Sequence, residues 1–169
     1  MEDFAPEKKK KYIEFYMNVA KNVANMSYAK RLKVGSILVK DGNIISFGWN
    51  GMPSGWDNNC EDEVINDVIL KSDEIGTSYP IEYTKELKTK PEVIHAEMNC
   101  LLKVAKSNNS SKDSVMFLTH SPCIDCAKQI FTAGINKLYF GEHYRSTEGI
   151  QFLKKCNIKV EQCQVGDIT

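Results

Sequence analysis

The sequence predicts an α/β protein with three layers (α/β/α), built on a five-stranded mixed sheet. Two patterns support this prediction. An Asp-Gly turn between two apolar, β-branched segments, 34–40 and 44–50, indicates an antiparallel hairpin. After residue 113, strand and helix patterns alternate, and the right-handed crossovers that this order requires make the last two strands parallel. We therefore expect helices to cover both faces of one sheet.

Local patterns place each element along the chain. Apolar residues at helical spacing predict an amphipathic helix over 7–26, ahead of the hairpin. Gly, Pro and Asn over 51–63 indicate a loop. The later elements are a short helix over 63–72 followed by extended chain, helices over 95–106, 122–134 and 147–156, and strands over 114–120, 136–141 and 158–163. The helix over 122–134 begins with proline and ends at glycine, as helices prefer.

Length and composition place the chain among ordinary globular proteins. Its 169 residues, 42% hydrophobic and 26% charged, are typical of one domain with its own core. We expect this domain to span 1–169, with an insertion at about 60–92 that carries no motif. The formal net charge is zero, which argues against a polymeric nucleic-acid partner because binding a polyanion needs a basic face. A small anionic substrate needs only a few local cations.

The sequence favours a cytoplasmic protein without a membrane partner. Residues 1–11 lack the apolar segment of a secretory signal. No segment approaches the roughly eighteen consecutive apolar residues that a membrane span needs. A reducing compartment disfavours disulfides among the six cysteines. A Cys-x-x-Cys pair in that setting is typical of a metal or redox site.

Three residues suggest a zinc site. Cys123 and Cys126 lie three apart in the first turn of a predicted helix, where free N–H groups and the helix dipole favour thiolates. His95 begins another helix, and both helix starts adjoin strand ends, so we expect the three side chains to bind zinc. A redox pair of the thioredoxin type is the alternative. Such a pair would follow a strand early in its fold and would need no histidine.

Three protein ligands leave tetrahedral zinc one position short, which distinguishes catalytic sites from closed structural ones. A fourth ligand would close the site, and the candidates are His120, His143 and Cys100. Glu97 favours the catalytic interpretation. Two residues after His95 on a helix, it points away from the histidine and is suited to take a proton from a zinc-activated water. The alternative is that Glu97 only supplies favourable charge at a helix start.

The sequence His95-Ala-Glu97, followed by Pro122-Cys-x-x-Cys126, resembles the H-x-E…P-C-x-x-C signature of zinc-dependent nucleobase deaminases. The blocks VGSILVKDGNIISFGWNGMPSG and HAEMNCLL are similar to those of the cytidine/deoxycytidylate deaminase family, especially the deoxycytidylate (dCMP) deaminases of phages and viruses. The matching regions run from about 28 to 59 and from 95 to 160. The resemblance implies a cytidine-deaminase-like fold and, for a viral protein, the host cytoplasm.

The resemblance also implies an activity, the hydrolysis of dCMP to dUMP and ammonia, which supplies dUMP for thymidylate synthesis. One catalytic Zn²⁺ per chain would activate water, Glu97 would carry protons, and a main-chain carbonyl near Ser121 would accept from the exocyclic amine. Asn50 resembles the sugar-binding asparagine of the family, or is a turn residue. The residues that resemble phosphate-binding positions are Arg31, Tyr144 and Arg145. Arginine suits phosphate because its planar fork matches two oxygens, although each arginine could instead be a surface residue.

Regulation and assembly are further implications of the resemblance. Family members are often activated by dCTP and inhibited by dTTP, with Mg²⁺ on the triphosphate, and are usually homohexamers. The loop over 51–59 resembles the effector-binding loop, with candidate residues Gly51, Met52, Pro53, Gly55 and Asn59. Lys103 and Lys106 would reach a triphosphate or, more simply, form the solvated face of their helix. A second, structural zinc is not expected, because 60–92 offers Cys60 and no histidine.

Other functions compete with this interpretation. A bifunctional dCMP/dCTP deaminase, or an enzyme for cytidine or cytosine, would use the same chemistry. The parallel last strands argue against the free-cytidine class, whose closing strands are antiparallel. A tRNA adenosine deaminase is disfavoured by the neutral charge. A non-catalytic nucleotide sensor would keep the zinc and lose the proton carrier, whereas Glu97 is present.

Overall fold

The computed structural model describes residues 6–72 and 78–163, with the side chains of 66–83 left out of the description. Its helices are α1 (Pro6–Ala24), α2 (Ala96–Ala105), α3 (Ile124–Thr132) and α4 (Glu148–Lys155). Its strands are β1 (Gly35–Lys40), β2 (Asn43–Trp49), β3 (Glu61–Ser72), β4 (Ser78–Thr89), β5 (Val115–His120), β6 (Lys137–Glu142) and β7 (Lys159–Gln162). In the described part of the chain, no helix is long and apolar enough to cross a membrane.

Five strands form one mixed sheet in the order β2-β1-β5-β6-β7. β1 pairs antiparallel with β2 and with β5, whereas β5, β6 and β7 run parallel. The turn between β1 and β2 is Asp41-Gly42, and both residues have positive φ, 48° and 76°, as a two-residue hairpin turn requires. The predicted five-stranded mixed sheet with parallel final strands is therefore confirmed.

Helices cover both faces of this sheet because alternate strand residues point to opposite sides. On one face, Tyr16 and Met17 of α1 pack against a cluster that includes Ile37 and Phe117. On the other face, α2, α3 and α4 enclose a second cluster that includes Leu38 and other strand residues. Both clusters consist of buried apolar side chains, and together they fix the positions of α2 and α3 relative to the ends of the strands.

The remaining two strands, β3 and β4, pair antiparallel with each other in a separate two-stranded sheet, which we call the ribbon. The predicted short helix over 63–72 is wrong, since these residues belong to β3. The segment contains Val64, Ile65, Val68 and Ile69 at a spacing that fits a helix, but β-branched residues are favoured in strands. The extended chain expected after it is present as β4.

Helix α2 lies unusually close to the sheet at Gly48 of β2. A Cβ atom on Gly48 would collide with the carbonyl oxygen of Ala96 and would lie 2.5 Å from the nitrogen of Cys100. The neighbouring Ser46 hydroxyl donates to the Cys100 carbonyl at 2.7 Å. These contacts hold the start of α2 against the sheet, at the end where His95 and Glu97 lie.

Candidate active site

A cavity of about 540 Å³ opens at one end of the sheet, where β2, β5 and β6 finish and α2 and α3 begin. Its volume is in the range of small-molecule sites. Residues from five parts of the chain line it: Arg31, Leu32, Val34, Asn50, Lys88, Thr89, Val93, His95, Ala96, Glu97, His120, Ser121, Cys123, Glu142, His143, Tyr144 and Arg145. Ligand sites of α/β proteins are commonly found at the carboxyl ends of strands.

His95, Cys123 and Cys126 form the metal-binding group predicted from the sequence. His95 and Cys123 are the residues immediately before α2 and α3, so both helices begin at the site. The Nδ1 atom of His95 lies 3.7 Å from the Cys123 sulfur and 3.4 Å from the Cys126 sulfur. Ligands on a tetrahedral zinc ion are about 3.5 Å apart, given bond lengths of about 2.0–2.3 Å. The geometry therefore fits zinc.

Within the described residues, no other histidine, cysteine or carboxylate joins this group. His120 instead contacts the Thr119 hydroxyl at 3.1 Å and the Glu142 carboxylate at 3.4 Å. Cys100 is buried in the core between the sheet and α2. Three protein ligands with an open fourth position are the arrangement of a catalytic rather than a structural zinc.

The thiols of Cys123 and Cys126 have pKa values that are shifted in opposite directions. Hydrogen bonds from Cys126 and His95 lower the pKa of the Cys123 thiol to about 4. The pKa of Cys126 is raised, because its thiol donates to Cys123 and is buried. The pKa of His95 is raised by its hydrogen bond with Cys123. A metal ion replaces such shared protons when it binds thiolates and a neutral imidazole.

Glu97 lies in the first turn of α2 and lines the same cavity as His95 and Cys123. Only 4% of the residue is exposed. Burial raises the pKa of its carboxyl above the ordinary value, since the charged form loses its hydration. A carboxylate that binds a proton more readily than usual is suited to carry protons near neutral pH.

All five residues predicted to bind substrate line the cavity. Arg31 donates from Nη1 to the Thr89 hydroxyl at 3.2 Å. Asn50 uses both ends of its amide on the main chain, because Oδ1 accepts from Val34 N–H and Nδ2 donates to the Leu32 carbonyl, each at 2.8 Å. Asn50 thus fixes the cavity wall between β1 and β2.

Ser121, Tyr144 and Arg145 come from the segments after β5 and β6. The Ser121 hydroxyl accepts from the main-chain N–H of Tyr144 at 2.8 Å, and Ser121 N–H donates to the Glu142 carbonyl at 2.8 Å. The guanidinium of Arg145 lies over the Tyr144 ring, 5.6 Å from its centre. Ser121 therefore joins the two segments that carry these side chains.

The residues predicted to bind an effector do not line this cavity. Gly51 forms a bridge with Ile94, and Met52 packs against buried Ala29, Cys60 and Val93. Pro53 accepts from Trp56 N–H at 3.0 Å, Gly55 has a positive φ of 88°, and Asn59 N–H donates to Asp57 at 3.2 Å. These contacts make 51–59 a sequence of turns beside the cavity.

Lys103 is not solvated in the way that the simpler interpretation expects. Its ammonium lies 4.6 Å and 4.4 Å from the ring centres of Phe47 and Trp49, and it donates to the Phe47 carbonyl at 3.0 Å. Lys106, the residue directly after α2, is exposed. A triphosphate would therefore have to draw Lys103 away from the edge of the sheet.

Several lining residues were not predicted. Thr89, Lys88 and Val93 come from the end of the ribbon and the segment after it, where the sequence offered no motif. Their position depends on contacts between distant parts of the chain, and local patterns carry no trace of such contacts. His120 was considered only as a zinc ligand. It directly precedes Ser-Pro-Cys in the sequence, and this position alone predicts that it lies near the site.

Comparisons with known proteins agree with this geometry. The family model for the cytidine and deoxycytidylate deaminase zinc-binding region matches residues 10–142. The crystal structure of dCMP deaminase from the cyanophage S-TIM5 in complex with dCMP and dUMP has a TM-score of 0.74 and 41% identity, and the match covers 95% of this chain and 99% of that one.

Curated relatives include deoxycytidylate deaminases of a phage and of a mammal. The protein of Enterobacteria phage T2 is 33% identical in an alignment 147 positions long, which covers 76% of this chain and 78% of the relative. The protein of Homo sapiens is 31% identical in an alignment 144 positions long, which covers 83% of this chain and 71% of the relative. With its zinc-ligand group and buried glutamate at the matched region, the chain belongs to the cytidine and deoxycytidylate deaminase family.

Proposed function

We propose that the chain hydrolyses dCMP to dUMP and ammonia and so supplies dUMP for thymidylate synthesis. The observation that carries this proposal is that one cavity is lined by two of the three zinc ligands, by a buried carboxyl and by two arginines, with the third ligand, Cys126, beside the first two. The zinc ligands and the carboxyl are suited to hydrolytic removal of an amino group, and the arginines are suited to binding an anionic substrate. The similarity to phage and human deoxycytidylate deaminases supports the same substrate.

Zinc held by His95, Cys123 and Cys126 would act as a Lewis acid that makes water acidic enough to lose a proton near neutral pH. Glu97 takes that proton as the water oxygen bonds to C4 of the cytosine ring, and delivers it to ring N3. Glu97 then takes the remaining proton from the new C4 hydroxyl and passes it to the exocyclic nitrogen, and the C4–N bond breaks. The products are a uracil carbonyl and ammonia, so every atom of the water is accounted for.

The five predicted substrate-binding residues bind the substrate along the cavity. A main-chain carbonyl near Ser121 accepts from the exocyclic amine and so orients C4 towards the zinc. Asn50, held by Val34 and Leu32, contacts the deoxyribose at the wall of the cavity. The phosphate group lies among Arg31, Tyr144 and Arg145, where two guanidinium groups supply charge-assisted hydrogen bonds.

Regulation is part of the proposal. dCTP, with Mg²⁺ on its triphosphate, activates the enzyme and dTTP inhibits it, both binding at 51–59 in a homohexamer. The exposed turn from Ser54 to Asn59 supports an accessible effector loop. Gly51 connects that loop to Ile94, the residue before the zinc ligand His95, through hydrogen bonds of 3.1 and 2.9 Å. Lys106 is the better candidate of the two lysines for a triphosphate contact, because Lys103 is engaged at the sheet edge.

The test measures the decrease of the cytosine ultraviolet absorption band with dCMP, dCTP, deoxycytidine or cytosine as the substrate. Each substrate is tested alone and with dCTP or dTTP as the effector, together with Mg²⁺. Consumption of dCMP, faster with dCTP and slower with dTTP, supports both the activity and its regulation. Consumption of dCTP itself would establish a bifunctional dCMP/dCTP deaminase instead. If zinc is bound and no substrate is consumed, the protein is a nucleotide sensor and the proposal fails.

A further inference from the structure

Two residues of the ribbon, Glu61 and Thr89, form hydrogen bonds with Arg31, and the sequence did not predict these contacts. The carboxylate of Glu61 accepts from the main-chain N–H of Lys30 at 3.2 Å and of Arg31 at 3.3 Å. The hydroxyl of Thr89 accepts from the Arg31 guanidinium at 3.2 Å. Glu61 and Thr89 are opposite each other in the register of β3 and β4. The two ends of Arg31 are therefore fixed by one cross-strand pair.

Glu61 is buried, with 4% of the residue exposed, and it is the first residue of β3. A buried carboxylate is costly unless it is satisfied, and here main-chain N–H groups of the segment before β1 satisfy it. The main-chain amide of Lys90, directly after β4, donates to the Cys60 carbonyl at 3.0 Å, which closes the same end of the ribbon. We call this end, residues 60–61 and 89–90, the ribbon base.

The hydrogen-bond partner of the Arg31 guanidinium determines whether the positive charge of Arg31 is neutralised. Thr89 is neutral, and among the side chains described no carboxylate lies within ion-pair distance of Arg31. An aspartate or glutamate in place of Thr89 would orient the guanidinium equally well but would neutralise it. A neutral acceptor orients the arginine and leaves its charge available to an anion in the cavity.

We propose that Glu61 and Thr89 are positioning residues that hold Arg31 towards the substrate's anionic group, so that the ribbon base sets the preference for a nucleoside monophosphate over the neutral nucleoside. The inference rests on the proposed function, in which Arg31 binds phosphate. Among the described residues, neither Glu61 nor Thr89 belongs to the metal-binding group or forms a hydrogen bond with Glu97, so we expect them to act on binding of the anionic end and to leave the hydrolytic step unchanged.

Thr89→Val removes the hydroxyl with little change in volume, and Thr89→Ser restores it. We expect Thr89→Val to raise KM for dCMP by about three- to tenfold, the effect of losing one typical hydrogen bond, with kcat unchanged. kcat/KM for deoxycytidine should stay within about twofold, and Thr89→Ser should recover the wild-type ratio. Glu61→Gln should act in the same direction, with the exposed Glu63→Gln as its control.

The double variant Arg31→Ala/Thr89→Val separates positioning from a general structural role. If Thr89 acts through Arg31, the double variant has the same KM for dCMP as Arg31→Ala alone. Equal losses on dCMP and deoxycytidine, or losses that multiply in the double variant, would overturn the inference. Thermal melts of each variant show whether an equal loss comes from unfolding.

Failure of the proposed function gives a different result. If the wild type consumes another cytosine nucleotide rather than dCMP, the same variants are compared on that nucleotide and its neutral nucleoside. If it consumes none, calorimetric binding of dUMP and deoxyuridine gives the ratio directly. A preference for dUMP that Thr89→Val reduces and Thr89→Ser restores supports the ribbon base. A wild type without such a preference overturns it.

Discussion

In the proposed mechanism, the acid–base chemistry of the site depends on one side chain, the buried carboxyl of Glu97. Its neighbours in the cavity are the zinc ligands His95 and Cys123, and it shares the first turn of α2 with no other acid. A glutamine at this position would keep the shape and the hydrogen-bonding oxygen but would not bind and release a proton. The proposed mechanism thus separates metal binding, by three side chains, from proton transfer, by one.

We expect Glu97→Gln to lower kcat for dCMP by about 10²- to 10⁴-fold, because proton transfer by a positioned group contributes about that much. Zinc content by atomic absorption and the unfolding midpoint should match the wild type. The exposed Glu92→Gln is the matched control and should retain full activity. A Glu97→Gln enzyme with near-wild-type turnover would mean that another group carries the proton.

At the level of elements, the site depends on how closely α2 approaches β2. Gly48 leaves room for the main chain of α2 at Ala96, which lies between His95 and Glu97 in sequence. A methyl group at Gly48 would push the start of the helix outward, and the two functional side chains would move with it.

We expect Gly48→Ala to lower the free energy of unfolding by about 3 kcal/mol, since overpacking against main-chain atoms leaves no flexible neighbour to yield. kcat should fall as well, because His95 and Glu97 shift. Gly51→Ala is the control, since a Cβ there meets no atom closer than 3.8 Å. Denaturant titration and steady-state kinetics on both variants measure the two effects. Equal stabilities for the two variants would contradict the close packing of α2.

Strand β2 lies at the edge of the sheet, and α2 covers part of that edge. Lys103 donates to the Phe47 carbonyl at 3.0 Å, and Asn99 donates to the Trp49 carbonyl at 2.9 Å. Exposed edge strands invite pairing with other chains, and a lysine across the edge opposes it. Lys103 therefore has a structural role whether or not it also contacts an effector.

We expect Lys103→Ala to cost about 1 kcal/mol of stability, from one hydrogen bond and its contacts with two aromatic rings. Aggregation on mild heating, followed by light scattering, should begin earlier than in the wild type. Lys106→Ala, at the exposed residue directly after the same helix, should change neither property. If both variants aggregate alike, the edge is protected by other contacts.

The local elements were predictable and the distant contacts were not. The hairpin at Asp41-Gly42 and the helices that follow His95 and Cys123 were each predicted from a short pattern, and the same patterns identified the candidate metal ligands. The ribbon was missed because residues 64–69 fit a helical spacing, although the strand that pairs with them is the next one in the chain. The contact between Arg31 and Thr89 spans 58 residues, so no local pattern indicates it.

At the level of the whole molecule, a zinc ion bound by His95, Cys123 and Cys126 would link two helices that contact each other little. Its ligands lie at the starts of α2 and α3, which are otherwise linked by few direct contacts and by shared packing on one face of the sheet. A ligand that binds only the folded chain adds to its stability, so the metal should contribute to the stability of the whole fold.

We expect removal of zinc by a chelator to lower the unfolding midpoint by roughly 10 °C. A ligand at a thousandfold excess over its Kd adds about 4 kcal/mol, and each kcal/mol moves the midpoint of a chain of this size by about 2–4 °C. Cys123→Ser should lose the metal and should melt at the same temperature with or without chelator. A metal-free wild type that melts like the loaded protein would show that the site is not coupled to folding.

The pairing of β1 with β5 has a consequence for the order in which the chain folds. Ser36 pairs with Leu118, so a segment near the start of the chain must meet one made much later. β5 lies between His95 and the two cysteines in sequence, and contacts of long sequence separation form slowly. The three ligands come together only after that pairing, which makes zinc capture a late event in refolding. A zinc-sensitive dye present during refolding would therefore report completion of the central sheet.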